Sequence, residues 1–296
     1  MSVSLRARAA TTGWTSLVRE YRPTTRTARH VAATWEGEPG RDGWLRLLPD
    51  GCVDVWWDGE ALGVTWAGEQ PLRVRLRAAV PSVGVRLRCG TAAAVLSGAV
   101  WDQPGRSIPV ADLLGGRAGV SEVEQRLRTA GGPARRRAVL EQWIGDRTAA
   151  GAGGSGAAEP RLAAVVGSLG VPGARVPDVA STVGLGERTV RRQIRAAVGL
   201  GPKSLHRVLR FQAFLARLEH VLAGRESLAA AAARVGYVDQ AHLGHECRRL
   251  SGSTPAELLV AYRRAGPGHG RIPQDQDAGG GDAGAVTSRR PSRRSA

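Results

Sequence analysis

Two stretches of this chain place apolar residues on one helical face and polar groups on the other. Between Glu187 and Val198, the residues Val190, Ile194 and Ala197/Val198 recur at i, i+4 and i+7/i+8, the spacing of a buried face. The opposite face then carries Arg188, Thr189, Arg191, Arg192 and Arg195. Between Gln240 and Ser251, Leu243, Cys247 and Leu250 turn inward and leave Gln240, Ala241, His242, His245, Arg248 and Arg249 outside. These side chains have the chemistry of base edges. A guanidinium pairs with O6 and N7 of guanine together, Gln pairs with adenine, and an Ala methyl packs on that of thymine. Imidazoles reach base or phosphate. An α-helix fits the major groove of B-DNA, so both faces are candidate DNA contacts. A basic helix alone is ordinarily just a solvated one, and the weight falls on the elements that position these faces.

Those elements are an internal repeat. The first copy runs from Val183-Gly184-Leu185-Gly186 through RRQIRAAV to Gly199-Leu200-Gly201-Pro202. The second runs from Val235-Gly236-Tyr237-Val238-Asp239 to Gly252-Ser253-Thr254-Pro255. Each has a short helix (PDVASTVG; SLAAAAARVG), a turn containing Gly, a second helix and a Gly-x-x-Pro stop, which is the helix-turn-helix plan twice. Asp239 is a good N-cap for the second copy, and Gly186 is a weaker one for the first. Leu205, Val208, Leu209, Phe211, Leu215, Leu218 and Leu222 keep helical spacing, so 204–222 reads as one long connecting helix. Two units on a rigid connector would reach successive major grooves, about 34 Å apart, on one side of a duplex.

Charge follows the same division. The 296 residues carry 42 Lys+Arg against 26 Asp+Glu, and residues 161–264 hold 16 basic and 7 acidic side chains. Lys203 is the single Lys, a uniformity that points to GC-rich coding rather than to selection for Arg at each site.

The first half is different material. All eight Trp lie there, the last at Trp143. VAATWE, GWLRLL, CVDVWWD, GVTWAG, PLRVRLRAAV and VGVRLRC read as short strands between 31 and 89, separated by turns such as Pro49-Asp50-Gly51 and Asp58-Gly59. Leu72 to Arg77 alternates strictly, as a strand wet on one side does. Residues 120–146 read as one or two helices. The expected fold class is therefore α+β and multidomain, with an N-terminal antiparallel β barrel or sandwich with helices and a C-terminal all-α double helix-turn-helix. The expected boundaries are a β-rich effector-binding or dimerisation domain over 1–148, a Gly/Ala/Ser linker over 149–158, the helical domain over 159–264 and a disordered tail over 265–296.

Within the β-rich domain, Asp54, Trp56, Trp57 and Arg86 are candidate effector contacts, the rings giving area and the charges orientation. The competing reading is that both Trp fill the core and Pro-Asp-Gly makes a turn. Cys52 is a candidate sensor thiol, against an ordinary small buried residue. Asp50, Asp54 and Asp58 have no His cluster nearby, so no metal and no cofactor is expected. Cys52, Cys89 and Cys247 are too scattered for a four-Cys zinc site or a disulfide scaffold. No apolar run approaches the roughly 20 residues of a membrane span, and the start lacks a signal-peptide core. No nucleophile elbow, phosphate loop or His-Glu metal motif occurs, and the chain reads as a cytoplasmic protein that is not an enzyme.

Residues 159–260 resemble the C-terminal DNA-binding domain of AraC-type bacterial transcription regulators. The resemblance is carried by Gly184 to Arg192, by Gly199-Leu200-Gly201-Pro202, by Gly236-Tyr237-Val238-Asp239-Gln240-Ala241-His242-Leu243, and by Arg248-Arg249-Leu250-Ser251-Gly252 with Pro255. It implies base contact by Arg188, Arg191, Arg192, Gln240, Ala241 and His245. It also implies promoter DNA as partner, activation or repression of transcription, a small-molecule effector, a homodimer and contact with RNA polymerase. Position 247 departs from the family, being Cys where a large aromatic is usual, and Gly244 is a poor mid-helix residue. Arg19 to Pro23, Leu48 to Asp54 and Val83 to Leu87 resemble an uncharacterised β-rich domain found ahead of such domains. The alternatives are a nonspecific architectural DNA-binding protein and a fusion of this domain to a DNA-repair enzyme.

Overall fold

The computed structural model describes residues 18–37, 43–76, 82–96, 107–116, 119–151, 159–265 and 271–273. Six of its strands fall on the six stretches whose patterning marks them: β2 (Val31–Gly37), β3 (Gly43–Leu47), β4 (Val53–Trp57), β5 (Leu62–Thr65), β6 (Leu72–Leu76) and β7 (Val83–Leu87). Three short ones join them, β1 (Val18–Tyr21), β8 (Ser107–Pro109) and β9 (Arg271–Pro273). All pair antiparallel in two sheets, ordered β1-β2-β7-β4-β5-β8 and β6-β3-β9.

Alternation along β4 assigns the two faces of the larger sheet. Val53, Val55 and Trp57 join Val83, Val85 and Leu87 in the main core, which also contains Leu140, Trp143 and Ile144 of α3 (Pro133–Ala149). Trp56 turns the other way, into a smaller cluster with Val18, Trp35, Leu47, Leu72 and Val74 from both sheets. The arrangement is a sandwich and not the barrel also considered. The larger sheet runs from β1 to β8 without closing, because α3 covers one face and the small sheet the other. A short helix α1 (Val110–Leu113) follows β8. Next comes α2 (Ser121–Thr129), whose Glu124 accepts from the Leu62 amide at 3.0 Å.

The helical part comprises α4 (Glu159–Leu169), α5 (Val176–Thr182), α6 (Glu187–Val198), α7 (Pro202–Leu215), α8 (Leu218–Leu222), α9 (Leu228–Arg234), α10 (Gln240–Ser251) and α11 (Pro255–Ala265). The single connecting helix expected over 204–222 is in fact two. At Ala216 and Arg217 the bonding tightens, Arg217 N–H donating to Phe214 O and His220 N–H to Arg217 O, both at 2.9 Å. Arg217 also donates to Glu226, which lies after α8, and the bend seats α8 against α11.

The two parts share one continuous core. Gly51 lies against Val198 and Leu205, and Gly90 against Leu162 and Val166. Gln212 Nε2 donates to Pro49 O at 2.7 Å. Strand β9, downstream of the described helices, returns to pair with β3, Arg46 standing opposite Ile272. The remaining residues of the expected linker and tail lie outside the described ones.

Candidate nucleic-acid interface

Both units close their first helix alike. The Leu185 amide donates to Ala180 O and that of Gly184 to Ser181 O; Tyr237 donates to Ala232 O and Gly236 to Ala233 O. These are paired Schellman bonds. They require left-handed backbone at Gly184 (φ 65°) and Gly236 (φ 86°), which glycine adopts without strain. A 12-residue helix follows each turn. Asp239 Oδ1 accepts the His242 amide at 2.7 Å, whereas Gly186 offers α6 no side-chain cap.

On α6, Val190, Ile194, Ala197 and Val198 are buried, Arg188, Arg191, Arg192 and Arg195 are exposed, and Thr189 is half-buried. Arg191 lies 3.5 Å from Glu187 one turn back. On α10, Gln240, Ala241, His245, Arg248 and Arg249 are exposed. His242 is the exception to the expected outer face, half-buried with its ring edge-on to Tyr237 at 5.3 Å between centroids. Cys247 is fully buried in the core of the second unit, and burial pushes its thiol up to about 12.

What fixes α10 is a buried ionic cluster that the apolar pattern does not reveal. Glu246, 3% exposed, accepts from Arg207 Nε at 2.9 Å and from Nη2 at 2.6 Å, and lies 3.8 Å from Arg210. Arg207's hydrogen bonds hold the Glu246 carboxyl below the usual range despite burial. Arg210 also lies over the Tyr237 ring at 4.6 Å. The signal in the sequence was a carboxylate three residues after core Leu243, a position that demands a cation nearby.

The N-terminal sandwich touches the far end of the same helix. Arg46 Nη1 donates at 2.9 Å to both Ser251 O and Ser253 Oγ, and Arg249 pairs with Glu69 at 3.0 Å.

Of the candidate effector contacts, Asp54, Trp56 and Arg86 come together and Trp57 does not. Trp57 lies on the opposite sheet face, 5.2 Å below the Arg136 guanidinium, because adjacent strand residues point opposite ways. Arg86 stands opposite Asp54 in the β4–β7 ladder and is 4% exposed. It lies 3.6 Å from Asp54, 3.4 Å from Glu20 and 3.9 Å from Asp50. Burial works against its charge, but these carboxylates more than offset that and raise its pKa. Asp54 accepts from Trp35 Nε1 at 2.9 Å and Trp56 Nε1 donates to Thr65 at 2.8 Å. The rings of Trp35 and Trp56 lie where a Cβ on Gly84 and Gly63 would stand. Cys52 and Cys89 are pushed up by burial, Cys89 to about 12, which is unlike a reactive sensor thiol.

Residues 179–260 match the family model described as a helix-turn-helix domain. With the paired units, this defines a DNA-binding protein of the transcription-regulator class. The matched segment is a helix-turn-helix domain of the AraC type. No curated protein matches the chain. Among solved structures, ToxT from Vibrio cholerae O395 is similar at TM-score 0.39 and 9% identity, over 74% of this chain and 96% of that one. An apo ToxT variant from strain SCE256 gives 0.37 and 9%, over 84% and 99%. Wild-type ToxT of that strain with unsaturated fatty acid bound gives 0.38 and 8%, over 74% and 94%. Among the described residues no helix is long and apolar enough to cross a membrane.

Proposed function

We propose that the chain is a sequence-specific transcription regulator whose α6 and α10 enter adjacent major grooves of promoter DNA. The observation that carries this reading is the pair of 12-residue helices, each following the same glycine turn and each exposing polar and cationic side chains opposite a buried apolar face. Arg188, Arg191, Arg192 and Arg195 act from the first, and Gln240, Ala241, His245 and Arg248 from the second. His242 serves chiefly to seat Tyr237. The surplus of Arg over acidic residues in this segment supplies the nonspecific attraction to phosphate.

The N-terminal sandwich governs that activity, through a small molecule or through pairing of two copies, and RNA polymerase is the downstream partner. Its support is connectivity. Asp50 belongs to the Arg86 cluster, and the same turn carries Pro49 and Gly51, which touch Gln212, Val198 and Leu205 of α6 and α7. A ligand that rearranged Asp54, Trp56 and Arg86 would be felt at the DNA-binding helices.

The test is competition binding of the full chain to its own promoter region. A preference of at least about 10³-fold over random duplex is expected for a regulator. Equal affinity for every sequence would leave the architectural reading in its place.

A further inference from the structure

The two units are not exact copies, and the difference lies at the edge that meets DNA. In the first, one residue, Leu185, separates Gly184 from the N-cap Gly186. In the second, two residues, Tyr237 and Val238, separate Gly236 from the N-cap Asp239. Leu185 is half-buried against the core and Tyr237 is 3% exposed, so these two correspond and Val238 is the inserted residue. Val238 is 86% exposed, the most exposed large hydrophobic side chain among the described residues. Nothing in the fold uses it, and its neighbours are held rigidly. Asp239 caps the helix, and Tyr237 is buried between Arg210 and His242.

The helices that follow align from their N-caps, which pairs Arg188 with Ala241, Arg191 with Gly244 and Arg192 with His245. The outer face of α6 is therefore cationic over its first two turns. In α10 the matching positions hold exposed Ala241, buried Gly244 and His245, so nothing there corresponds to the guanidinium groups of Arg188 and Arg191, and the exposed apolar groups at this end of the unit are Val238 and Ala241. The charge of α10 resumes at Arg248 and Arg249, so the helix still carries the positive end that a duplex requires.

Resting on the two-groove reading above, we propose that Val238 and Ala241 are specificity residues that pack on thymine 5-methyl groups, so that the second unit selects a thymine-bearing step. The first unit's Arg face selects guanine. The methyl is the one apolar feature on a base edge in the major groove, and it is absent from the other three bases. Packing on it removes the Val238 side chain from water without asking it to hydrogen-bond.

The experiment starts from the best duplex recovered by selection with the full chain. Each thymine is replaced in turn by deoxyuridine, which deletes only the methyl. The parent protein should lose about four-fold in affinity at one or two thymines, the equivalent of one methyl-sized group left in water. V238A should bind the parent duplex about that much more weakly and lose its response at one of those positions. V238T, which keeps a methyl, should retain it. The exposure of Val238 makes misfolding of these variants a minor concern, and an unchanged melting temperature checks it. Indifference to every deoxyuridine substitution, or an unaltered response in V238A, overturns the proposal. Either can occur while the chain still prefers its selected duplex and R188A still weakens it. Loss of that preference altogether would instead overturn the two-groove reading.

Discussion

Arg249 of α10 and Glu69, in the loop between β5 and β6, form an ion pair at 3.0 Å that ties a cation of α10 to the N-terminal sandwich. Both side chains remain partly exposed, so the pair is worth no more than about 1 kcal/mol to the fold. Its larger effect is on charge. E69Q frees one cation beside the duplex, and affinity should rise several-fold at low salt. The slope of log K on log salt should steepen by about 0.9 if Arg249 then meets one phosphate. R249A should abolish both changes in the E69Q background. Filter binding across a salt series reads them.

R188A and R191A separate base contact from phosphate contact. A side chain that reads guanine should cost about 1–3 kcal/mol at one position of the site and relax the preference there. Uniform weakening across sequences would assign that Arg to the backbone. The Arg191–Glu187 pair predicts a milder effect for Arg191 than for Arg188, since the pairing must first be given up.

E246Q strikes the anchor of α10. Arg207 and Arg210 would be left facing a neutral amide in a largely buried place. About 3 kcal/mol of stability should go, at the lower end for a broken buried pair because Arg207 reaches water. Urea unfolding measures it, and replacing Arg207 as well should recover part of the loss.

The stability of the helical part should depend on pH near neutrality through His206. Burial, and next the charge of Arg210, lower its pKa below the ordinary value of 6.5. The folded form thus binds its proton less readily than the unfolded form. The stabilisation is present in full above about pH 6.5 and is lost as pH falls through the lower folded value. The melting temperature of H206Q should vary less than that of the parent across that window.

G244A should stabilise the fold by up to about 1 kcal/mol, because glycine is a poor helix former and the added methyl meets only the mobile end of Arg248. Thermal melting tests this, and a simultaneous drop in DNA affinity would locate position 244 within the contact.

Much of this arrangement is written in periodicity. Strands β2 to β7 follow from alternation and turn residues, and the two helix-turn-helix units from the spacing of Val190 and Ile194 and of Leu243, Cys247 and Leu250. The same alternation would have separated Trp56 from Trp57, adjacent residues that must face opposite ways on a strand. Other features depend on tertiary partners and left no such trace. The bend at Arg217 interrupts no apolar pattern, because Leu215 and Leu218 both remain inward across it. Glu246 stands on the buried side of α10, three residues after Leu243, but only the fold shows that Arg207 and Arg210 are the cations that answer it. β9 is too short to stand out, and exists only because the edge of β3 is there to receive it.

That last pairing makes the helices an excursion within a sheet. β3 precedes them, β9 follows them, and the two lie side by side. Cutting the chain after Ala265 would remove a tether and uncover the backbone of β3, a bare edge that invites self-association. Shortened versions of this protein that precipitate would owe it to the missing hem rather than to any fault in the helices.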